Sequence, residues 1–406
     1  MKLKMYLNHW DMIYKSIGEI VEFSSTKNVN GEADVLYGIN INKFFMPSVA
    51  HIIGVDLKKY KVVKKHQFAC NRMHVGRDKR LPISMSTSDY NFIVSPAYDV
   101  FTVIDDEVLP EYLMLWFRRS EFDRECWFYT DADVRGGLSL NALKAIEIYI
   151  PSIEKQTAIV AQYQSITNKI KVNEQICEKL EATAQALYKH WFVDFEFPNE
   201  EGQPYKSSGG AMVWNEELNM EIPEGWQIKG LGEISKIRMG QSPKGESYNE
   251  NGEGTPLING PVEFGTYFTV KSKWTTEPKR FCEKNDFIMC VRGSTVGKNV
   301  ISDDRYAIGR GVCSISSDHI FHLTQVMKNN LIDILKDVTG STFPNLDRKT
   351  IESYLVINPK EDVKEIFEQR YNAIDKKIKI LNKQIVRLLE FKSLLLSRLA
   401  TLEGVN

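Results

Sequence analysis

Residues 159–191 read IVAQYQSITNKIKVNEQICEKLEATAQALYKHW, and apolar side chains recur in them at alternating steps of four and three. This 3.5-residue period is typical of a helix that packs lengthwise against a second helix. One position of the series is polar, because Asn173 occupies it. The stretch therefore predicts a long helix with a nearly continuous apolar seam. The seam positions are Ile159, Tyr163, Ile166, Ile170, Asn173, Cys177, Leu180, Ala184, Leu187 and Trp191.

A second stretch, near the end of the chain, repeats this period and has Lys392 in its polar slot. At about 1.5 Å per residue, two helices of about 40 residues would each be about 60 Å long. The simplest pairing is an antiparallel coiled coil within one chain, whose register Asn173 and Lys392 help to fix. Asn173 has an alternative interpretation as a polar residue tolerated at a hydrated position. The second seam consists of Phe367, Tyr371, Ile374, Ile378, Leu381, Ile385, Leu388, Leu395 and Leu399.

The two helical stretches each follow one copy of an internal repeat. Residues 15–20, KSIGEI, recur at 229–234 as KGLGEI, and a glycine turn, a short apolar run and a proline end both copies. Two copies indicate a duplication rather than a solenoid. The predicted domains are a first globular domain (1–151), a central helix (152–192), an acidic linker (193–225), a second globular domain (226–357) and a C-terminal helix (358–406).

Each globular half is predicted to be an α+β domain, so that the whole chain has a pseudo-twofold internal repeat. Short alternating runs bounded by Gly, Asn and Asp predict strands, and longer apolar runs predict helices. The predicted strands are 35–41, 91–94, 100–104, 287–291 and 311–315, and the predicted helices are 109–122 and 322–336.

Composition fits a folded cytoplasmic protein. The 406 residues carry a net charge of −1, and 43% of them are hydrophobic. No apolar run reaches the ~20 residues of a membrane helix, and the six cysteines include no C-x-x-C pair. Segment 193–225 has a net charge of −7, which hides two basic stretches, 58–80 and 271–310, of nine basic residues each. These stretches indicate either a polyanion-binding surface or ordinary solvated lysine-rich faces.

A search for catalytic motifs finds no active site. Residues 293–299, GSTVGKN, are one residue short of a phosphate loop and end in Asn instead of Ser or Thr. The chain contains no N-P-P-[YF] run of an amino-methyltransferase, and His319 and His322 have no third metal ligand at a useful spacing. The acidic clusters 105–107, 131–133 and 303–304 are interpreted as turns or caps. The sequence therefore predicts binding surfaces without catalytic chemistry.

Residues 187–198, LYKHWFVDFEFP, closely resemble the central segment of specificity (S) subunits of type I restriction-modification systems. Residues 202–210 and 221–226 continue this resemblance, and 291–298 and 340–346 are similar to runs in the target-recognition domains of that family. The duplicated architecture extends the resemblance over the whole chain. The first half departs most, because it ends in GGLS at 136–139 without a Thr-Phe-Pro-Asn run.

The resemblance implies a non-catalytic DNA-recognition subunit. Each globular domain would read one half of a bipartite, asymmetric site in double-stranded DNA. The helices would set the spacing and bind two methylase (M) subunits, which carry S-adenosylmethionine and methylate adenine N6. Restriction (R) subunits, with ATP and Mg²⁺, would join only if the system cleaves DNA. No cofactor and no metal is expected in this chain itself.

Basic residues are the candidate DNA contacts, since lysine and arginine neutralise phosphates and arginine also reads base edges. Arg72 and Arg292 are favoured, because each follows a short apolar, strand-like run. Trp191 and Phe192, at the end of the central helix, are predicted to pack or to contact a methylase subunit. The candidate DNA contacts are Lys64, Lys65, Arg72, Arg77 and Arg80 in the first half and Lys271, Lys273, Arg280, Arg292, Lys298 and Arg310 in the second.

Two alternatives remain open at this point. A self-sufficient DNA-processing enzyme would act on DNA without a partner. A coiled-coil scaffold would not bind DNA, and changing the basic stretches to alanine would leave its affinity for duplex DNA unaltered.

Overall fold

A computed structural model describes residues 14–48, 54–130, 136–336 and 344–399. The chain divides into two compact units. Unit 1 comprises residues 1–172 and 385–406, and unit 2 comprises residues 173–384. Two long helices, α6 (Ile153–Phe192) and α10 (Glu361–Arg398), contribute residues to both units.

Unit 1 is built on a four-stranded antiparallel sheet in the order β2-β9-β6-β7. Its core contains Phe68 stacked on Phe101, with 5.0 Å between the ring centroids, and Phe117 set edge-on against Phe68. The strands are β1 Tyr14–Ser16, β2 Val21–Ser24, β3 Tyr37–Ile39, β4 Phe45–Pro47, β5 Lys61–Val63, β6 Phe68–Cys70, β7 Ile83–Met85, β8 Phe92–Val94, β9 Asp99–Val103 and β10 Glu147–Tyr149. The short helices are α1 Ile17–Ile20, α2 Val75–Asp78, α3 Pro110–Phe117, α4 Ser120–Phe128 and α5 Leu140–Ala145.

Unit 2 contains a four-stranded antiparallel sheet in the order β14-β22-β19-β20 and a five-stranded sheet in the order β15-β17-β16-β21-β18. The only parallel pair among its described strands is β16 with β21. The first six strands are β11 Met212–Asn215, β12 Met220–Pro223, β13 Gln227–Gly230, β14 Lys236–Met239, β15 Tyr248–Asn249 and β16 Thr255–Ile258. The others are β17 Trp274–Thr275, β18 Phe281–Cys282, β19 Phe287–Cys290, β20 Asn299–Ile301, β21 Tyr306–Ile308, β22 Val312–Ser316 and β23 Leu355–Asn358. The short helices are α7 Leu231–Ile234, α8 Ile320–Ile334 and α9 Arg348–Ser353.

The two four-stranded sheets are built in the same way. In each, a one-turn helix (α1 or α7) precedes the first strand, and that strand pairs with the last strand of the sheet in chain order. In each, the strand before that helix pairs with a strand just ahead of a long helix: β1 with β10, and β13 with β23. A short helix, α5 or α9, precedes β10 or β23 and packs against α1 or α7.

The strands and helices predicted from the sequence are confirmed, with shifts of a few residues at their ends. The run 35–41 shortens to β3, and 109–122 becomes two helices, α3 and α4. The acidic segment 193–225 contains more structure than a linker, because β11 and β12 form a hairpin in it. Phe197 of this segment stacks on Tyr205 and Trp226, with centroid distances of 4.5 and 4.9 Å.

The predicted seam residues of α6 and α10 are all buried or half-buried. In unit 1, Lys392 lies over the ring of Tyr163 at 5.1 Å. In unit 2, the Asn173 amide donates to Gln384 at 3.3 Å, while Trp191 lies 5.9 Å from Phe367 between ring centroids. Within unit 2, therefore, α6 and α10 run antiparallel.

Candidate nucleic-acid interface

Arg72, a favoured DNA candidate, is held by contacts inside unit 1. Its guanidinium pairs with Asp99 at 2.6 Å and donates to the carbonyl of Leu138, and its own carbonyl accepts from the Leu138 amide at 3.0 Å. Arg72 thus ties the segment around Gly137 to the end of β6, where a Cβ on that glycine would come within 3.3 Å of the Arg72 carbonyl. The structure gives Arg72 an internal stabilising role.

The other unit 1 candidates lie on the surface with different degrees of pairing. Lys65 pairs with Asp89 at 2.6 Å, and Arg77 makes two bonds to Asp78. These exposed pairs exchange readily with solvent or phosphate. Lys64 and Arg80 are exposed, and neither side chain has a hydrogen bond or ion pair with a residue described in the structure.

Arg80 lines a groove of about 420 Å³ in unit 1 that is rich in positive charge. Among the described acidic residues near the groove, Glu121 pairs with Arg119 and Arg124, and Asp123 pairs with the buried Lys43 at 2.7 Å. Burial lowers the pKa of Lys43. The acids are therefore already engaged, and the groove retains excess positive charge. Its lining cations are Lys43, Lys79, Arg80, Arg118, Arg124 and Lys392. We call this groove the basic groove.

Most members of the basic groove were missed by sequence reasoning. Arg118 and Arg124 lie on α3–α4, and Lys392 lies on α10, so only the fold brings them to Arg80. Arg118 donates to the hydroxyl of Tyr163, another lining residue of the groove, at 3.2 Å. No local pattern in the sequence signals such a cluster.

In unit 2, Lys271 pairs with Asp304 at 2.6 Å, and both side chains are about half exposed. Lys273 is half-buried, and the other candidates are exposed. Apart from Lys271, none of the unit 2 candidates has a side-chain hydrogen bond or ion pair with residues in the described part of the chain. These candidates are Lys273, Arg280, Arg292, Lys298 and Arg310.

Arg280 and Arg310 lie on one edge of unit 2, where segments of both sheets meet. We call it the glycine-packed edge, and it consists of residues 240–242, 259, 280 and 309–311. The Gly309 amide donates to Ile258 at 2.8 Å, and the Gln241 amide donates to Ile308 at 2.9 Å. The Arg310 amide donates to the Ser242 hydroxyl at 3.1 Å. Gln241 was not among the sequence candidates, although its place in the turn GQSP at 240–243 marks an exposed loop.

The motifs considered above as possible active sites have structural roles. In the run 293–299 the Gly293 amide donates to Pro344 and the Lys298 amide to Thr295, so these amides are not free to hold a phosphate. His319 pairs with Glu361, whereas His322 is buried against Phe192, 4.7 Å away between ring centroids. Asp303 accepts from Thr269 and Tyr306. The run 340–343 and the cluster 131–133 lie outside the described residues.

Of the two roles predicted for Trp191 and Phe192, packing or a methylase contact, the structure supports packing. Their side chains are only 3% and 4% exposed and belong to the core of unit 2. Phe192 lies 5.0 Å from Phe367, and Trp191 is also covered by the Arg370 guanidinium at 4.9 Å. They are packing residues, because the aromatic rings at the end of α6 close over the start of α10 instead of facing outward.

An exposed apolar surface occurs elsewhere, on the unit 1 portion of the helices. Phe391 and Leu394 of α10 are 60% and 52% exposed. With Ile166 and Leu395 they line an open groove of about 750 Å³. We call it the apolar helix groove. Exposed apolar area of this kind is typical of a protein contact.

Comparisons with known proteins give the class of the molecule. Residues 81–182 and 223–390, more than half of the chain, match the family model described as type I restriction modification DNA specificity domain. The chain therefore belongs to this family. It is a non-catalytic DNA-recognition component of a type I restriction-modification system.

Individual relatives and a solved structure match this chain over most of its length. The type I restriction enzyme HindI specificity subunit of Haemophilus influenzae is 23% identical, and the match covers 95% of this chain and 96% of that protein. The MjaIX specificity subunit of Methanocaldococcus jannaschii is 28% identical over 72% of this chain and 69% of its own. The crystal structure of the S subunit from M. genitalium superposes with a TM-score of 0.56, at 14% identity and 98% coverage of both chains, which shows a shared fold. No helix within the described residues is both long and apolar enough to span a membrane.

Proposed function

We propose that this chain selects the DNA sequence for a type I methylase, with each unit reading one half of a bipartite, asymmetric site. The observation that carries the proposal is the equivalent four-stranded sheet, with the same strand pairing, in both units. A duplicated reader is what a bipartite site requires. The basic groove of unit 1 and the unpaired cations of unit 2 supply positive charge for phosphate contacts.

Helices α6 and α10 would form the antiparallel coiled coil that separates the two readers. Support comes from the burial of the seam and from the contacts of Asn173 with Gln384 and of Tyr163 with Lys392. A duplex turn measures about 34 Å, so helices of about 60 Å could hold half-sites one to two turns apart. The coiled coil thus acts as a ruler.

Two methylase subunits are the proposed protein partners, and they would bring S-adenosylmethionine and methylate adenine N6 in the cytoplasm. Restriction subunits with ATP and Mg²⁺ would join only if the system also cleaves DNA, and the proposal does not depend on them. The apolar helix groove replaces Trp191 and Phe192 as the docking surface, because its Phe391 and Leu394 side chains are more than half exposed. Methylation and cleavage chemistry then belong to the partners.

The test is co-expression of this chain with the methylase subunit encoded beside it, followed by mapping of N6-methyladenine on host DNA by long-read sequencing. We expect a bipartite motif that disappears when this chain is omitted. Methylase alone is the matched control. Two soluble, co-purifying proteins without chain-dependent methylation would refute the proposal and favour a scaffold.

A further inference from the structure

The glycine-packed edge is assembled from four separate parts of unit 2. Strands β16 and β21 run parallel and end there together, and the next residues are Asn259 and Gly309. Strand β18 pairs with β21 in the opposite direction, so Arg280, just before β18, comes to the same edge, where its carbonyl accepts from Ile308 at 2.9 Å. The turn after β14 completes the edge, through the bond from the Gly240 amide to Val312 at 3.0 Å.

Backbone packing holds this edge rigidly. A Cβ added to Gly240 would lie 2.2 Å from the carbonyl oxygen of Gly309, and one added to Gly311 would lie 2.4 Å from that of Asn259. These distances are too short for any side chain, so the loops pack main chain against main chain. Side chains that leave such a framework start from fixed positions, as specific recognition requires.

Three long polar side chains project from this framework. Gln241, Arg280 and Arg310 are exposed, and none makes a side-chain hydrogen bond or ion pair with the described residues. Glu263, an acid next to the edge, is 2% exposed and accepts from the amides of Asn259 and Gly260. It therefore does not neutralise the arginines.

The types of these residues favour base edges over phosphates. Arginine binds guanine O6 and N7 with two parallel bonds, and glutamine binds adenine N6 and N7 in the same manner. Lysine, the ordinary phosphate ligand, is absent from residues 240–242, 259, 280 and 309–311. A rigid edge with planar donors is suited to discrimination between base pairs, whereas a phosphate contact tolerates mobile charges.

We propose that the glycine-packed edge is the base-reading surface of unit 2, where Arg310 reads a guanine and Gln241 reads an adenine of the same half-site. Arg280 flanks them as a second arginine at this edge. The inference rests on the proposed function and adds to it the residues that set specificity in one of the two readers.

The experiment starts from the bipartite motif mapped for the wild-type complex. Affinities of the complex containing Arg310→Ala, Arg310→Lys or Gln241→Ala are measured by fluorescence anisotropy. The probes are duplexes with the full motif or with one base pair changed in either half-site. Arg348→Ala is the matched control, since this exposed arginine of unit 2 pairs with Glu352 on α9. Thermal melting of each variant confirms folding.

We expect Arg310→Ala to remove discrimination at one G·C pair of one half-site, a loss of about 5- to 150-fold in selectivity for a bidentate contact. Gln241→Ala should do the same at an A·T pair of that half-site, and Arg310→Lys should keep most of the affinity but lose the selectivity. Selectivity lost at a single base pair by either alanine variant supports the proposal. Unchanged selectivity in both alanine variants, including uniform weakening on every duplex, overturns it. If the wild-type complex yields no bipartite motif, the proposed function itself fails instead.

Discussion

Arg72 and Arg80 carry the same charge in unit 1, but only Arg72 makes side-chain bonds with described residues. Arg72 is 20% exposed in its side chain and holds Asp99 and Leu138, whereas Arg80 projects into the basic groove. Charge in the sequence cannot separate these roles, because both arginines lie in the same basic stretch. Only the position of Asp99, on the neighbouring strand β9, distinguishes them.

We expect Arg72→Ala to lower the free energy of unfolding of unit 1 by about 1–3 kcal/mol, because Asp99 and the Leu138 carbonyl lose a charged partner. Arg80→Ala should leave unfolding unchanged and reduce the slope of log affinity for duplex DNA against log salt by about one phosphate contact. Urea denaturation and salt-dependent anisotropy measure the two effects. Equal slopes for Arg80→Ala and wild type would remove Arg80 from the interface.

His322 provides a second test at the level of a single residue. Burial is the main cause that lowers its pKa to about 3, and the charges of Lys364 and His319 add to it. The unfolded chain, with a histidine pKa of about 6.5, therefore binds this proton more readily than the folded chain. The contribution of His322 to the free energy of unfolding should be complete above pH 6.5. It should fall as the pH drops from there towards 3, by up to about 1.4 kcal/mol per pH unit.

His322→Phe should reduce the loss of stability below pH 6.5, since the phenyl ring keeps the contacts with Tyr188 and Phe192 and cannot be protonated. The measurement is the free energy of unfolding from urea titrations at pH 7 and pH 5. Exposed His190, changed to Gln, is the control. A pH dependence in His322→Phe equal to that of the wild type would contradict the assignment.

At the level of elements, every residue that the 3.5-residue period placed in the seam is buried or half-buried, because this period depends only on local helix geometry. Burial of Asn173 at 1% exposure agrees with its seam position, and its partner Gln384 is not itself a seam residue. Partner choice depends on how two helices are brought together, which a single periodic pattern does not encode.

The ruler role can be tested by lengthening both helices. Seven residues inserted in α6 between Val172 and Asn173, with seven in α10 between Gln384 and Ile385, preserve the seam and add about 10 Å. We expect the gap between half-sites to increase by about three base pairs, measured by methylation mapping. The single insertions serve as controls and should abolish methylation, since they shift one seam against the other. An active double insertion with an unchanged gap argues against a spacer.

The apolar helix groove makes a separate prediction about assembly. Phe391→Asp and Leu394→Asp place charges on side chains that are already more than half exposed, so folding should be little affected. We expect these variants to lose the methylase subunit in size-exclusion chromatography and to retain duplex binding. Ile332→Asp is the control, because Ile332 of unit 2 is 79% exposed and does not line this groove. Normal co-purification of both helix variants would place the docking surface elsewhere.

For the whole molecule, the recurrence of KSIGEI as KGLGEI marks equivalent elements, since the last four residues of each run form a one-turn helix, α1 or α7. The two surfaces proposed to bind DNA were not visible in this way. The basic groove combines Arg80 with Arg118, Arg124 and Lys392, and the glycine-packed edge combines Gln241 with Arg310. Both collect residues far apart in sequence, and surface polar residues are under no periodic constraint that a pattern could detect.

Independent readers predict that the halves can be exchanged. Replacing residues 1–151 by the corresponding domain of a relative with a known motif should change only one half of the methylated sequence. Methylation mapping of the chimera in cells provides the measurement, with the parental chains as controls. A change in both halves would show that the readers are coupled.

The two stretches that make up unit 1, residues 1–172 and 385–406, have a consequence for biosynthesis. Leu399 is 1% exposed and belongs to the same core as Ile159 and Tyr163, with Leu395 and Leu396 packed against it. Part of the core of unit 1 therefore stays uncovered until unit 2 and the last helix have been translated. Most of unit 1 is thus made first, but its core can close only after all of unit 2 has been translated.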